Sequence, residues 1–419
     1  MKNILFVLSL MLICSLVTYS QTWTEQTSGI TSAINTVSAV DNNVGWIGGN
    51  TGEVLRTTNG GTTWTNVTGS PIGTNGVYAI CGIDANTCLV STSPGATFVF
   101  RTTNGGANWT QVFTQASPGF IDDIKMFNST NGFMYGDPVG GRWSLWKTTD
   151  AGATWDSTGL YLVRTGISEA GYNNAMCVRG TNIWFGTNNT KVYYSTTSGT
   201  SWNFGATTGS INTYSVTFNG STGFTGQSAA LTSTNGGANW AVVTLPGTGT
   251  IYSFSNVLAE FWYARGTSIY YSSNNGANWA SQYTSPSAGI YQAMSFVSAN
   301  GFIRGWAGTN TGKISMFNEA VIGIINNNHE IPKEFLLSQN YPNPFNPTTI
   351  INYQIPKAGD VKLAVYDMLG REVMVLVNEF KPAGNYNIEF NASNLSSGVY
   401  FYRIEAGSFV NTKKMVLVK

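Results

Sequence analysis

Apolar and aromatic residues in this chain fall in short alternating runs cut by Gly, Asn, Thr and Ser, and the runs recur in a fixed order. An aromatic-glycine strand comes first, then a tight turn and a second strand, as in GWIGGNTGEVLR (45–56) and again at 132–147, 183–194, 223–232 and 261–271. A polar phrase of eight residues follows each of these runs and occurs six times in all: TTNGGTTW (57–64), TTNGGANW (102–109), TTDAGATW (148–155), STTSGTSW (195–202), STNGGANW (233–240) and SSNNGANW (272–279). Their tryptophans, Trp64, Trp109, Trp155, Trp202, Trp240 and Trp279, are 45, 46, 47, 38 and 39 residues apart. That period predicts one four-stranded propeller blade per repeat. The strand pair returns once more at 305–317, where the phrase has decayed, so a seventh blade lacks its outer strand. TWTEQTSG (22–29) is similar to the strand after each phrase, and the strand around Trp23 is therefore predicted to complete that blade and close the ring. Residues 21–318 then divide into seven units of about 43 residues, within the usual range for propeller repeats.

The phrase has a turn chemistry of its own. Its first position is Ser or Thr, its fifth is always Gly (Gly61, Gly106, Gly152, Gly199, Gly237, Gly276) and its eighth always Trp. A short polar side chain accepts backbone N–H groups inside a turn, glycine takes a positive-φ position, and an indole packs beneath the loop. The third positions, Asn59, Asn104, Asp150, Thr197, Asn235 and Asn274, include one carboxylate in six. A repeated acid or metal ligand is thereby excluded, and the position reads as structural.

These residues resemble the Asp-box, or bacterial neuraminidase repeat, and 22–318 resembles secreted propellers related to photosystem II assembly factors. The resemblance implies a fold without an activity, since Asp-box proteins include sialidases, other glycosidases, sorting receptors and non-catalytic scaffolds.

After a polar linker, 319–335, the pattern changes. NYPNPFNPTT (340–349) carries Pro342, Pro344 and Pro347, which exclude a helix and favour an extended entry strand. Alternating strands joined at Gly370, Gly384, Gly398 and Gly407 make 336–419 a small β-sandwich of immunoglobulin-like type. An ordinary adhesive sandwich would show the same alternation. The strings NYPNPFNP, VYDMLGREV (365–373), SSGVYFYRI (396–404) and KKMVLVK (413–419) resemble the C-terminal sorting domain of the bacterial type IX secretion system. Asn340, Asn343, Phe345, Asn346, Asp367, Tyr400, Lys413 and Lys414, with the three prolines, Gly370 and Gly398, carry that resemblance. It implies the type IX machinery as a partner, and export to the medium or the outer-membrane surface.

The overall expectation is an all-β protein: a seven-bladed β-propeller closed by its N-terminal strand, plus that sandwich. Lys2 followed by an apolar stretch to Val17 reads as a signal peptide over 1–20. No other stretch is long and apolar enough to predict a transmembrane segment. With 21 basic and 20 acidic residues and 10% charged overall, the chain has no basic stripe for nucleic acid. Cys81 and Cys88 fall on opposite arms of a predicted hairpin, and a disulfide is open to them if their Cα atoms come within about 7 Å. Cys177 reads as a buried apolar filler. His329 stands alone in the linker, so neither a Ser/His/Asp triad nor a metal cluster is predicted, and no cofactor is expected.

Polar groups predicted to gather where loops meet the central channel are Asp122, Asp123, Asp137, Arg142, Arg164, Glu169, Arg179 and Arg265. A sialidase would need an arginine triad, but Arg56, Arg101 and Lys147 occupy equivalent places before the phrase, and 21–54 contains no arginine. The sequence therefore favours a non-catalytic module binding an extracellular carbohydrate or protein. The alternative is a glycoside hydrolase or lyase using two of Asp122, Asp123, Asp137 and Glu169, which requires two carboxyls to converge at roughly 5–10 Å.

Overall fold

The computed structural model describes residues 21–210, 212–299, 302–320, 334–357, 359–381 and 384–418. The predicted signal peptide and most of the linker, His329 included, lie outside the described residues. The chain separates into two compact units, Met1–Ile324 and Ile325–Lys419.

The described strands of the first unit form seven antiparallel sheets. Their innermost strands are Ile34–Ala39, Val77–Gly82, Ile121–Met126, Met176–Arg179, Ser215–Asn219, Ile251–Val257 and Tyr291–Ala299, blades one to seven. Each contacts the next, and the seventh contacts the first, so the sheets form a ring. Blade three has three strands, its outer edge held by isolated bridges Lys147 to Asp156 and Arg142 to Val163. In blade seven the outer strand is Thr22–Gln26, antiparallel to Ile314–Ala320 with Trp23 opposite Phe317. The Trp23 indole stacks on Tyr283 at 5.3 Å and packs on Phe317 at 5.2 Å. The two ends of the unit are thus zipped by backbone bonds and an aromatic cluster, which removes two free sheet edges.

Apolar cores lie between neighbouring blades. Trp46 and Val54 of blade one meet Ile80, Val90 and Phe100 of blade two, and Trp184 of blade four stacks on Phe218 of blade five at 4.2 Å. Strands covered by sheets on both sides need apolar residues on both faces, which is why Gly45–Gly49 and Cys88–Thr92 are buried throughout.

All six phrases adopt one geometry. The first-position hydroxyl accepts the N–H of the fifth residue at 2.9 Å in every copy, from Gly61 to Thr57 through Gly276 to Ser272. The third-position oxygen accepts the N–H of the seventh residue at 2.9–3.0 Å, and Asp150 does this just as the asparagines and Thr197 do. The fifth glycines have φ between 79° and 94°. Each also abuts a side chain of the preceding blade: Gln26, Val67, Leu89, Phe133, Trp184 and Phe224 in turn. Glycine is required both for the turn and for the approach of one blade to the next. The indoles of Trp202 and Trp279 donate to their own phrase's glycine carbonyl, while Trp109 reaches Val67 O of blade one. Trp64 donates to Gln26, and the buried Trp155 and Trp240 N–H groups have no partner.

The cysteine pairing is corrected. Cys81, Cys88 and Cys177 are all free and buried. Cys88 stands opposite Gly82, and Cys81 opposite Leu89. One residue of offset sends the two thiols to opposite faces of the sheet, Cys88 into the core shared with blade one and Cys81 into that shared with blade three. Cys177 packs in the core between blades four and five.

The second unit has two sheets around one core that includes Ile351, Leu363, Tyr402 and Met415. Thr348–Ile355 lies between Leu336–Leu337 and Gly384–Asn391, while Gly359–Tyr366 and Gly398–Ala406 are flanked by Glu372–Lys381 and Phe409–Leu417. The proline-rich entry is tied to the last strand: Phe345 N–H donates to Val416 O and Phe345 O accepts from Val418 N–H, each at 3.0 Å, and Val416 N–H donates to Asn343 Oδ1 at 2.9 Å. Asn340 is buried, donating through Nδ2 to Pro342 O and Thr349 Oγ1 and through N–H to the Tyr402 hydroxyl. Asp367 accepts the N–H groups of Leu369 and Arg371, holding a turn whose Met368 and Leu369 are exposed. Tyr400 donates to Ser396 O, and Lys414 O accepts from Gln339, with the Lys414 side chain exposed.

Candidate functional site

One local device repeated around the ring builds a site. In blades one, two, three, six and seven the innermost strand breaks register with its neighbour at its second residue, which is left without a partner: Asn35, Tyr78, Asp122, Tyr252 and Gln292. Such a bulge re-aims the extra side chain. Asn174 and Tyr214 hold the corresponding places ahead of Ala175-Met176 and Ser215-Val216 in blades four and five. The strings INTVS (34–38), IYSFS (251–255) and YQAMS (291–295) share one order after their first residue: an extra residue, a small one, an apolar one, then a residue facing the channel, as in Ile34 to Ser38, Ile251 to Ser255 and Tyr291 to Ser295.

Six of these seven side chains line an open cavity of about 410 Å³ at one end of the channel, joined by Phe120, Asp137, Gly171, Tyr172 and Asn173. Tyr78 stands behind Phe120, with ring centroids 5.0 Å apart. Tyr172, Tyr214 and Tyr252 form a continuous aromatic wall, at 4.5 and 5.9 Å between neighbours. Burial, and then the nearby Tyr214, push the Tyr172 hydroxyl up to about 12. A second cavity, of about 270 Å³, occupies the other end, and Asn174 lines both.

Of the eight predicted residues, Asp122 and Asp137 come together at this mouth. Both belong to strands, Ile121–Met126 and Gly132–Val139, where the sequence suggested loops. Asp122 is buried and its Oδ2 has no hydrogen-bond partner. Asp137 is half-buried and accepts Gly171 N–H at 2.8 Å. Gly171 is wedged between them, since a Cβ there would collide with Asp122 Oδ2. Burial pushes both carboxyls up, and the charges of Asp137 and Asp123 raise Asp122 further.

The other six have different places. Asp123 accepts Ile124 N–H at 2.8 Å and Met176 N–H at 3.3 Å and pairs with Lys125 at 3.2 Å. Ser215 and Ser253 make the same link from their blade to the next, to Phe254 and Met294 N–H, so Asp123 is a brace between blades. Glu169 closes its own loop through Thr165 N–H at 2.7 Å and the Tyr193 hydroxyl at 3.1 Å. Arg179 lines the opposite cavity, bonded to Phe218 O and Asn256. Arg265 caps the carbonyls of Gly249 and Leu245. Arg142 borders a crevice on the outer edge of blade three, and Arg164 N–H pairs with Gly141 O. The aromatic wall and the amides at the mouth were missed; their signal was the register of the extra residue across the repeats. Among the described residues no group of three His, Cys, Asp or Glu side chains is arranged to hold a metal ion.

Comparisons agree with this architecture. Residues 339–419 match the Secretion system C-terminal sorting domain family, and residues 17–129 match the Photosynthesis system II assembly factor YCF48 family. No curated protein matches the chain. Among solved structures, YCF48 bound to D1 peptide is 18% identical with a TM-score of 0.56, covering 70% of this chain and 96% of its own. YCF48 from Cyanidioschyzon merolae is 18% identical with a TM-score of 0.55, covering 70% and 98%. The extracellular domain of a putative one component system from B. thetaiotaomicron is 10% identical with a TM-score of 0.51, covering 96% of this chain and 59% of its own. At these identities the likeness is one of fold: a β-propeller, carrying a C-terminal sorting domain that indicates export to the cell surface or the medium.

Proposed function

We propose that the propeller is a non-catalytic capture module that binds a segment of an extracellular protein at the tyrosine-walled mouth, and that the sorting domain delivers it through the type IX machinery. The observation that carries the reading is the ring of bulge-positioned side chains, which puts aromatic rings with amide and carboxyl groups at one open end of a rigid scaffold. Rigid aromatics supply contact area at low entropic cost, and a peptide offers backbone groups that Gln292 and the Asn35 Oδ1 can pair. A fold relative solved with a D1 peptide bound supports peptide capture on this architecture.

A peptide array probed with the secreted protein tests it. Capture that is abolished by Tyr214→Ala supports the reading; absence of any captured peptide, or binding only to glycan arrays, overturns it. Export is tested by deleting 336–419, which should leave a folded propeller in the periplasm; normal appearance of the truncated protein in the medium would refute the sorting role.

A second reading, glycoside hydrolysis, is favoured by one observation, the shared placement of Asp122 and Asp137 at the mouth. It requires turnover of model glycosides that Asp137→Asn abolishes, and absence of turnover discards it.

A further inference from the structure

The mouth holds two carboxyls and no cation. None of its lining residues is Lys, Arg or His, and Lys125, paired with Asp123, lines the opposite cavity. Asp122 Oδ2 is buried without a partner, and Asp122 as a whole is 2% exposed. A buried carboxylate with an unsatisfied oxygen is costly unless a counter-charge or donor reaches it. Beside it stand three tyrosines in contact, whose ring faces attract an organic cation through their quadrupoles.

From this geometry we infer that the mouth is a receptor for a primary ammonium group, the side chain of an exposed lysine on the partner protein, seated against Asp137 with its methylene stem along Tyr172, Tyr214 and Tyr252, and with Asp122 behind Gly171. This rests on the peptide-capture reading above and names the chemistry it selects. The ammonium supplies three donors for the free capacity of Asp137, while the buried Asp122 adds its charge from behind Gly171. Its positive charge also opposes the upward shift that burial imposes on both carboxyls, since a nearby opposite charge favours the ionised form. The aromatic wall favours an organic cation over a metal ion, because tyrosine rings offer faces rather than strong ligands. The four-carbon stem of lysine suits a mouth that is apolar at its wall and acidic at its floor.

The experiment is a calorimetric titration of the secreted protein with Nα-acetyl-lysine N-methylamide, its norleucine isostere, and glucosamine. The lysine probe should bind at least tenfold more tightly than norleucine, and Asp137→Asn should remove most of that preference while the melting temperature stays close to that of the wild type. Equal binding of lysine and norleucine probes by the wild-type protein overturns the inference without recourse to any variant. Glucosamine binding more tightly than the lysine probe overturns it as well, in favour of an amino sugar. If lysine-free peptides are captured on the array and Tyr214→Ala releases them, peptide capture stands and the ammonium inference falls; if no peptide is captured, capture itself falls.

Discussion

Asn174 crosses the ring axis to Thr36. Its Oδ1 accepts the Thr36 hydroxyl at 2.6 Å while its Nδ2 donates to Asn35 O at 2.9 Å, although blades four and one are not neighbours. The residue holds a left-handed conformation, φ 60°, and lines the cavities at both ends of the channel. It is a strut that ties opposite sides of the ring and bars the passage between them.

Replacing Asn174 with glycine keeps access to the left-handed backbone and deletes both bonds. At about 0.5–1.5 kcal/mol for each hydrogen bond, a loss of roughly 1–3 kcal/mol is expected in urea unfolding. Unchanged stability would show that the cross-channel bonds do not hold the ring.

Glycines of the phrase should differ by position. Gly199 has φ 88°, and an added Cβ would lie 2.6 Å from Phe133, whereas Gly236 has φ 72° and open space. Gly199→Ala should cost roughly 2–5 kcal/mol, from left-handed strain and overpacking together. Gly236→Ala should cost about 1–2 kcal/mol from strain alone. Equal losses would refute the role of the fifth glycine as a contact between blades.

Asp150 should tolerate asparagine. In the first phrase Asn59 accepts Thr63 N–H and donates to the Thr63 hydroxyl at 3.0 Å, the pattern Asp150→Asn would adopt with Thr154. Stability should change by no more than about 0.5 kcal/mol, while Asp150→Ala should cost about 0.5–2 kcal/mol. A large loss in the asparagine variant would mean that the charge itself matters.

Stability should fall with rising pH through Glu260. Burial first, and then the charge of Glu319 on the neighbouring blade, raise the Glu260 carboxyl from 4.5 to about 7, against a hydrogen bond with Tyr271. A carboxyl raised in the folded state keeps its proton where the unfolded chain has already released it. Folded stability is therefore lost as pH climbs from about 4.5 through about 7, and the loss is complete above that. Melting temperatures across pH 4 to 8 should decline less in Glu260→Gln than in the wild type; parallel slopes would contradict the assignment.

How much was legible in the sequence follows from the range of each interaction. The eight-residue phrase closes on itself: Thr57, Asn59 and Gly61 bond within five residues, so turn chemistry sufficed to read its structural role. Ring closure was legible too, because the Trp23 strand is a displaced copy of a repeated element. The thiols of Cys81 and Cys88 were misplaced because a one-residue offset in strand register, invisible to hairpin spacing, decides which face each side chain takes.

Local sequence alone therefore determined the repeat, its turns and the all-β architecture, since those depend on contacts a few residues apart or on recurrence, while the sorting tail was read from its resemblance to a known family. Tertiary structure decided the mouth. Only the bulged register of the innermost strands, set by packing each blade on the next, turns Asp122, Tyr252 and Gln292 toward a common opening while leaving Asp123, one residue away, to brace the neighbouring blade. Adjacent residues on a strand face opposite ways, and which of them reaches the axis is a property of the assembled ring.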